Sequence, residues 1–170
     1  MWAERGPGVG KRFTLMKKIE AGEKVFVDTN ILLTATDSRR EGHRNAIDLF
    51  RNATQKVFTL CLSGQVLREY MVVATRPVSA NGLGLGIPEV AQNVEKFQSV
   101  TLFLPELMSV HQELLKIFRG NRVTGVKIHD LNILATMKVA GVRSLLTLNP
   151  RDFSWIEDLT IYSLEEISAF

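Results

Sequence analysis

The sequence predicts an α/β fold built on a parallel sheet, and three observations carry that expectation. Short apolar runs rich in β-branched residues recur at residues 24–28, 57–62, 100–104, 144–148 and 159–162. Between them lie longer segments whose apolar residues fall at helical spacing. The two patterns alternate from one end to the other, which is the order of βαβ units.

The first strand, residues 24–28, ends in Asp28-Thr29-Asn30, three small polar residues in a row, before helical spacing begins at Ile31. A charged stretch over 37–42 interrupts that helix. A second helix is expected over 43–53, with Ala46, Ile47, Leu49 and Phe50 facing inward. The strand at 57–62 is followed by Ser63, a good helix N-cap. The next helix places Val66, Leu67, Tyr70, Met71 and Ala74 on one face and stops before Pro77. Residues 79–86 hold three glycines but no lysine of a phosphate-binding loop, and they follow no strand, so they read as a flexible loop. Helices are expected over 88–99, with Val90, Val94 and Phe97 inward, and over 105–118, with Leu107, Val110, Leu114 and Ile117. A polar loop at 120–125 carries Arg122. The helix at 127–140 has Asp130 in its first turn, where the dipole favours negative charge, and ends at Gly141. After the strand at 144–148, Asn149-Pro150 breaks the chain. Trp155 and Ile156 are expected to pack in a short turn, and a terminal turn covers 163–169.

At 170 residues the chain suits one domain, expected over 24–170. Residues 1–23 read as a flexible basic extension. Residues 1–24 hold six basic and three acidic residues, which is the whole formal excess of +3, and the remainder is balanced. The body is therefore no generic basic nucleic-acid binder. The single cysteine, Cys61, excludes a disulfide framework and a zinc site and fits a reducing, cytoplasmic compartment. No run approaches the roughly 18 apolar residues of a membrane span, and the start lacks the apolar core of a secretory signal.

Asp28, Glu69 and Asp130 stand out by position: after the first strand, inside an apolar helix, and in a helix first turn. Asn149 or Asp152 follows the strand that carries Thr147. Parallel topology brings such positions to one sheet edge, where ligands bind in open α/β folds. Each has an ordinary explanation when taken alone. Asp28 reads equally as the cap of the next helix, and Glu69 as an ion-pair partner of Arg68 or Arg76. Taken together, like charges would repel and raise their own pKa values. A divalent cation removes that penalty. An oxygen-only set points to Mg²⁺ or Mn²⁺, and magnesium held by a few carboxylates commonly serves phosphoryl chemistry. His129 borders this set but reads as a helix N-terminal residue, and His43 and His111 as helix-face residues. Arg39, Arg40, Arg119, Arg122 and Arg151 read mainly as solvated charges, with those near the acids suited to RNA phosphates.

Four segments, Val-Asp28-Thr-Asn, Val-Leu-Arg-Glu69-Tyr, His-Asp130-Leu-Asn-Ile-Leu-Ala and Leu-Thr147-Leu-Asn149-Pro-Arg-Asp152-Phe, resemble in order the motifs of PIN-domain ribonucleases, the VapC-type toxins above all. The resemblance runs from about residue 24 to the end. It implies a three-layer α/β/α fold with a central parallel sheet, Mg²⁺-dependent (or Mn²⁺-dependent) endoribonuclease activity on RNA, frequent homodimers and often a cognate antitoxin protein. Carried over, it makes Asp28, Glu69 and Asp130 the acidic metal ligands, with Asn30 and Thr147 in support. The fourth acid is divided between Asn149, which stands where many members have Asp, and Asp152. Pro150 favours an extended Asn149, which would aim it at the strand end and leave Asp152 further out. An RNA-processing nuclease outside any toxin pair, and a non-catalytic RNA- or protein-binding module, are the alternatives. An aspartyl-phosphate phosphatase of the haloacid-dehalogenase type also starts with an Asp after strand one, but it needs an acid where Asn30 stands and a downstream Lys that is not evident.

Overall fold

The computed structural model describes residues 19–120, 125, 127–156 and 158–168. Five strands form one all-parallel sheet: β1 (Lys24–Val27), β2 (Thr59–Ser63), β3 (Leu102–Leu104), β4 (Ser144–Leu146) and β5 (Thr160–Tyr162). Their spatial order is β3-β2-β1-β4-β5. Register runs Val25 to Leu60 on one side of β1 and Val25 to Ser144 on the other. The chain therefore builds outward from β1 in one direction, then returns to its far side with β4. Such a reversal opens a crevice beyond the carboxyl ends of the two strands.

Helices α1 (Thr29–Thr36), α2 (His43–Arg51), α3 (Gly64–Thr75), α4 (Ile87–Ser99), α5 (Met108–Gly120), α6 (Lys127–Val139), α7 (Pro150–Phe153) and α8 (Leu164–Ser168) complete a three-layer α/β/α arrangement. Val25, Phe26, Val27, Leu145 and Leu146 are fully buried, as central parallel strands must be when both faces are covered. The main core joins them to Ile31, Leu32, Leu49, Phe50, Val66, Tyr70, Phe97 and Leu164, and a smaller cluster ties α5 to α6 through Val110, Ile117, Leu131, Leu134 and Ala135. Among the described residues every buried side-chain nitrogen and oxygen has a hydrogen-bond partner. No helix of the described residues is long and apolar enough to cross a membrane.

Several local expectations shift. β2 starts at Thr59; Val57 before it is exposed, and its carbonyl accepts from the Gly22 N–H. Met71 and Leu107 lie outside rather than in the core. α5 begins at Met108, beyond the turn in which the Leu107 N–H bonds the Pro105 carbonyl. The terminal turn is a short helix closed by reciprocal bonds between Ser163 and Glu166, a capping box. Of the expected extension, Phe13, Leu15 and Met16 lie outside the described residues, while Ile19 belongs to the core and Glu23 accepts from Ser144 and Tyr162. Arg122 also lies outside them.

The glycine-rich stretch after α3 is bound tightly to that helix. The N–H groups of Leu83, Leu85 and Gly84 donate to the carbonyls of Val73, Ala74 and Arg76, and the Gly82 N–H donates to Pro77. The last carbonyls of a helix need partners, and here the loop folds back to supply them.

Candidate active site

Asp28 stands where β1 ends and α1 begins. Its backbone N–H still donates to Leu146 across the sheet, and its side chain caps α1 through the Thr29 N–H at 2.7 Å. Capping and site membership are thus the same placement. Its other oxygen, Oδ2, accepts from Asn30 Nδ2 at 2.7 Å and from Thr147 Oγ1 at 2.6 Å. Asn30 also donates to Thr147 Oγ1 and accepts from the Leu148 N–H, so one amide stitches the ends of β1 and β4 together. Burial pushes the Asp28 carboxyl up, against the pull of Thr147 and Thr29, while the Glu69 charge adds to the rise.

Glu69 projects from α3 towards this edge. Its Oε2 accepts from Thr29 Oγ1 at 2.9 Å and its Oε1 from Gln65 Nε2 at 2.7 Å, with His129 Nδ1 at 3.6 Å. The ion pair with Arg68 that its sequence position allows does not form. Arg68 goes to Glu106 at 2.8 Å, and Glu106 also caps the start of α3 by accepting the Gln65 N–H. Asp130, half-buried in the first turn of α6, is pushed up to about 6 by burial first, then by the charges of Asp152, Asp28 and Glu69. The four acids therefore share one electrostatic field at the switch point of the sheet.

Asn149 departs from the extended geometry expected before a proline, with φ −115° and ψ 61°. Its N–H is held by Thr147 Oγ1 and its carbonyl accepts from the Asp152 N–H as α7 starts. Its side chain is exposed. Asp152, also exposed, acts on Asp130 more strongly than Asp28 or Glu69 does. Asp152→Ala is accordingly expected to lose more apparent metal affinity than Asn149→Ala in titrations of cleavage against Mg²⁺; equal losses would count against Asp152.

A divalent cation fits the donor set by its chemistry. Asp28, Glu69, Asp130 and Asp152 are hard oxygen donors, and burial first, then the neighbouring acids, push the Asp130 carboxyl up. Among the described residues no three acids, histidines or cysteines are already gathered as a finished metal-holding group. The structure holds the shared field and the pinned carboxylates.

The Asp130 shift carries a pH dependence. Its carboxyl binds a proton more tightly in the folded chain than at the ordinary 3.8. Its contribution to stability is thus full below 3.8 and lost as pH rises through about 6. Metal-free Asp130→Asn, which escapes that loss, is expected to gain on wild type across this window in thermal melts. A difference independent of pH would contradict the assignment.

Gln65 and Asn132 were not singled out in the sequence. Gln65 Nε2 donates to Glu69 and to the His129 carbonyl, and its Oε1 accepts from Asn132 Nδ2. The faint signals were the four-residue spacing of Gln65 and Glu69 and the place of Asn132 two positions after Asp130.

A family model described as PIN domain matches residues 25–158. No curated protein matches the chain. Among solved structures, a DNA-bound VapBC from Salmonella typhimurium is similar at 20% identity and TM-score 0.59, covering 84% of this chain and 98% of that one. VapBC2 from Rickettsia felis, bound to a promoter DNA fragment, is similar at 17% identity and TM-score 0.59, covering 82% and 98%. VapC20 from Mycobacterium tuberculosis, described as a Sarcin-Ricin loop cleaving toxin, is similar at 13% identity and TM-score 0.58, covering 79% and 98%.

Proposed function

Because the chain belongs to the PIN domain family, we propose that it is a Mg²⁺- or Mn²⁺-dependent endoribonuclease, the toxin of a toxin–antitoxin pair. The observation that supports this most is the meeting of Asp28 and Glu69 on Thr29 at the sheet switch point, with Asp130 close enough to feel both charges. Asp28, Glu69 and Asp130, with Asp152 outermost, would hold the ion. When bound, such a cation neutralises charge on the phosphate and lowers the pKa of water. The protein's own part is positional. Thr147 and Asn30 fix Asp28, and Thr29 and Gln65 fix Glu69, so the acids need little reorganisation during the reaction. Hydrolysis forms a bond from water oxygen to phosphorus and breaks one from phosphorus to a ribose oxygen. Asn30, whose amide is spent on Asp28, Thr147 and Leu148, offers no acid for a phosphatase of the haloacid-dehalogenase type.

Exposed Leu102, Phe103, Leu107 and Met108, on edge strand β3 and beside the start of α5, suit a homodimer contact. An antitoxin protein and a cytoplasmic RNA substrate complete the proposal. The test is cleavage of end-labelled RNA by the purified chain with Mg²⁺, Mn²⁺ or chelator, and of growth arrest on expression, relieved by a small neighbouring reading frame. Metal-independent cleavage, or none, would overturn the nuclease reading. Cleavage without arrest or relief would favour RNA processing.

A further inference from the structure

Gln65 is 5% exposed, and both N–H groups and the oxygen of its amide are hydrogen-bonded. Two N–H bonds go to Glu69 Oε1 at 2.7 Å and the His129 carbonyl at 3.0 Å, and its oxygen accepts from Asn132 Nδ2 at 2.6 Å. One bond stays within α3 and two cross to α6. The residue therefore ties the helix carrying Glu69 to the helix carrying Asp130. Glu69 Oε2 is held independently by Thr29, so Gln65 decides how the other carboxylate oxygen lies relative to α6. Its chemistry suits that task. A neutral amide can steer a carboxylate without neutralising it, whereas a lysine or arginine here would cancel the charge a cation needs. Arg68, beside Glu69 in the chain, is drawn off by Glu106.

We propose that Gln65 is a positioning residue for metal capture, holding the Glu69 carboxylate in register with α6 through the Glu69, His129 and Asn132 bonds. This inference rests on the metal-dependent reading above.

The test measures Mn²⁺ binding calorimetrically, without substrate, on the full chain and on Gln65→Met, Glu69→Gln and their double variant, with melting curves for each. Methionine keeps the volume and removes the bonds. Gln65→Met is expected to weaken Mn²⁺ binding about tenfold or more, the usual effect of removing a partner that orients a ligand. In the Glu69→Gln background the same change should alter affinity by less than about twofold, because its effect passes through Glu69. Val90→Ala, which thins the core at α4, provides loss of stability without contact to the site and should leave Mn²⁺ affinity unchanged. If Gln65→Met does not fold, Asn132→Leu, which frees the Gln65 oxygen, is expected to show the same loss in smaller measure. Wild-type affinity in the folded Gln65 or Asn132 variant, or an equal loss in Val90→Ala, would overturn the inference while leaving the nuclease reading standing. A wild-type chain that binds no Mn²⁺ would overturn both.

Discussion

Asp28→Asn is expected to abolish RNA cleavage, with a loss exceeding the roughly 10–100-fold that follows changes in groups supporting a metal ligand. The sequence alone suggests that removing a charge from a crowded acidic set should also stabilise the metal-free fold. The hydrogen bonds assign that benefit elsewhere. Three donors converge on the Asp28 carboxylate, one on Oδ1 and two on Oδ2. An asparagine amide must turn its NH₂ towards the Thr29 N–H or towards the Asn30 amide, so either orientation sets donor against donor. An unsatisfied buried group costs about 1–3 kcal/mol, which offsets the relief from lost charge. Asp130, on which no donor among the described residues converges, has no such cost. The metal-free melting temperature of Asp28→Asn should therefore lie below that of Asp130→Asn, with both inactive. Wild-type cleavage by Asp28→Asn would remove Asp28 from the site. A reversed order of melting temperatures would show that charge outweighs the bonds.

Gly82→Ala is expected to be the most destabilising small substitution in the loops. A Cβ at this position would lie 2.1 Å from the Arg76 carbonyl oxygen and 2.5 Å from its carbon, both backbone atoms that cannot turn aside. Relief requires the strap to lift, which would release the bonds it makes to the carbonyls of Val73, Ala74 and Arg76. The loss should reach roughly 3 kcal/mol, or a fall in Tm of roughly 6–12 °C for a chain of this size. Gly120→Ala, at the end of α5, where an added Cβ meets nothing within 4 Å, is the control and should be neutral or slightly stabilising. Similar behaviour of the two variants would mean that the strap contributes little.

The fold was legible because a parallel sheet buried on both faces leaves near-continuous apolar runs, and Val25-Phe26-Val27 is such a run. The same logic marked Asp28 and Thr147, polar residues placed directly after buried strands. The first strand was expected to be central, as it is, but nothing local tells that its two neighbours are β2 and β4. The backbone of Asn149 departs from the expected extended form because the preference of a residue before proline is a local effect, and here the Thr147 hydroxyl two positions back takes the Asn149 N–H. Gln65 reads as an ordinary first-turn polar residue of α3. Its meaning lies in Asn132 and His129, brought to it only by the packing of α6. The loop at 79–86 was read as flexible from its glycines, yet at Gly82 the lack of a side chain permits close approach to the helix end.

The placement of β1 between β2 and β4 has a consequence for synthesis. A nascent chain that ends before residue 144 contains Asp28, Glu69 and Asp130, but β1 has only one neighbour and the Thr147 hydroxyl does not yet exist. The bond from Thr147 to Asp28 spans 119 positions of sequence, and contacts of such separation close late because loop entropy opposes them. Asp28 thus gains its full set of bonds only after the β4 segment has left the ribosome, whereas Glu69 can be held earlier by Thr29 and Gln65. A nuclease of the proposed kind would in this way lack a fixed Asp28 for as long as β4 is unmade.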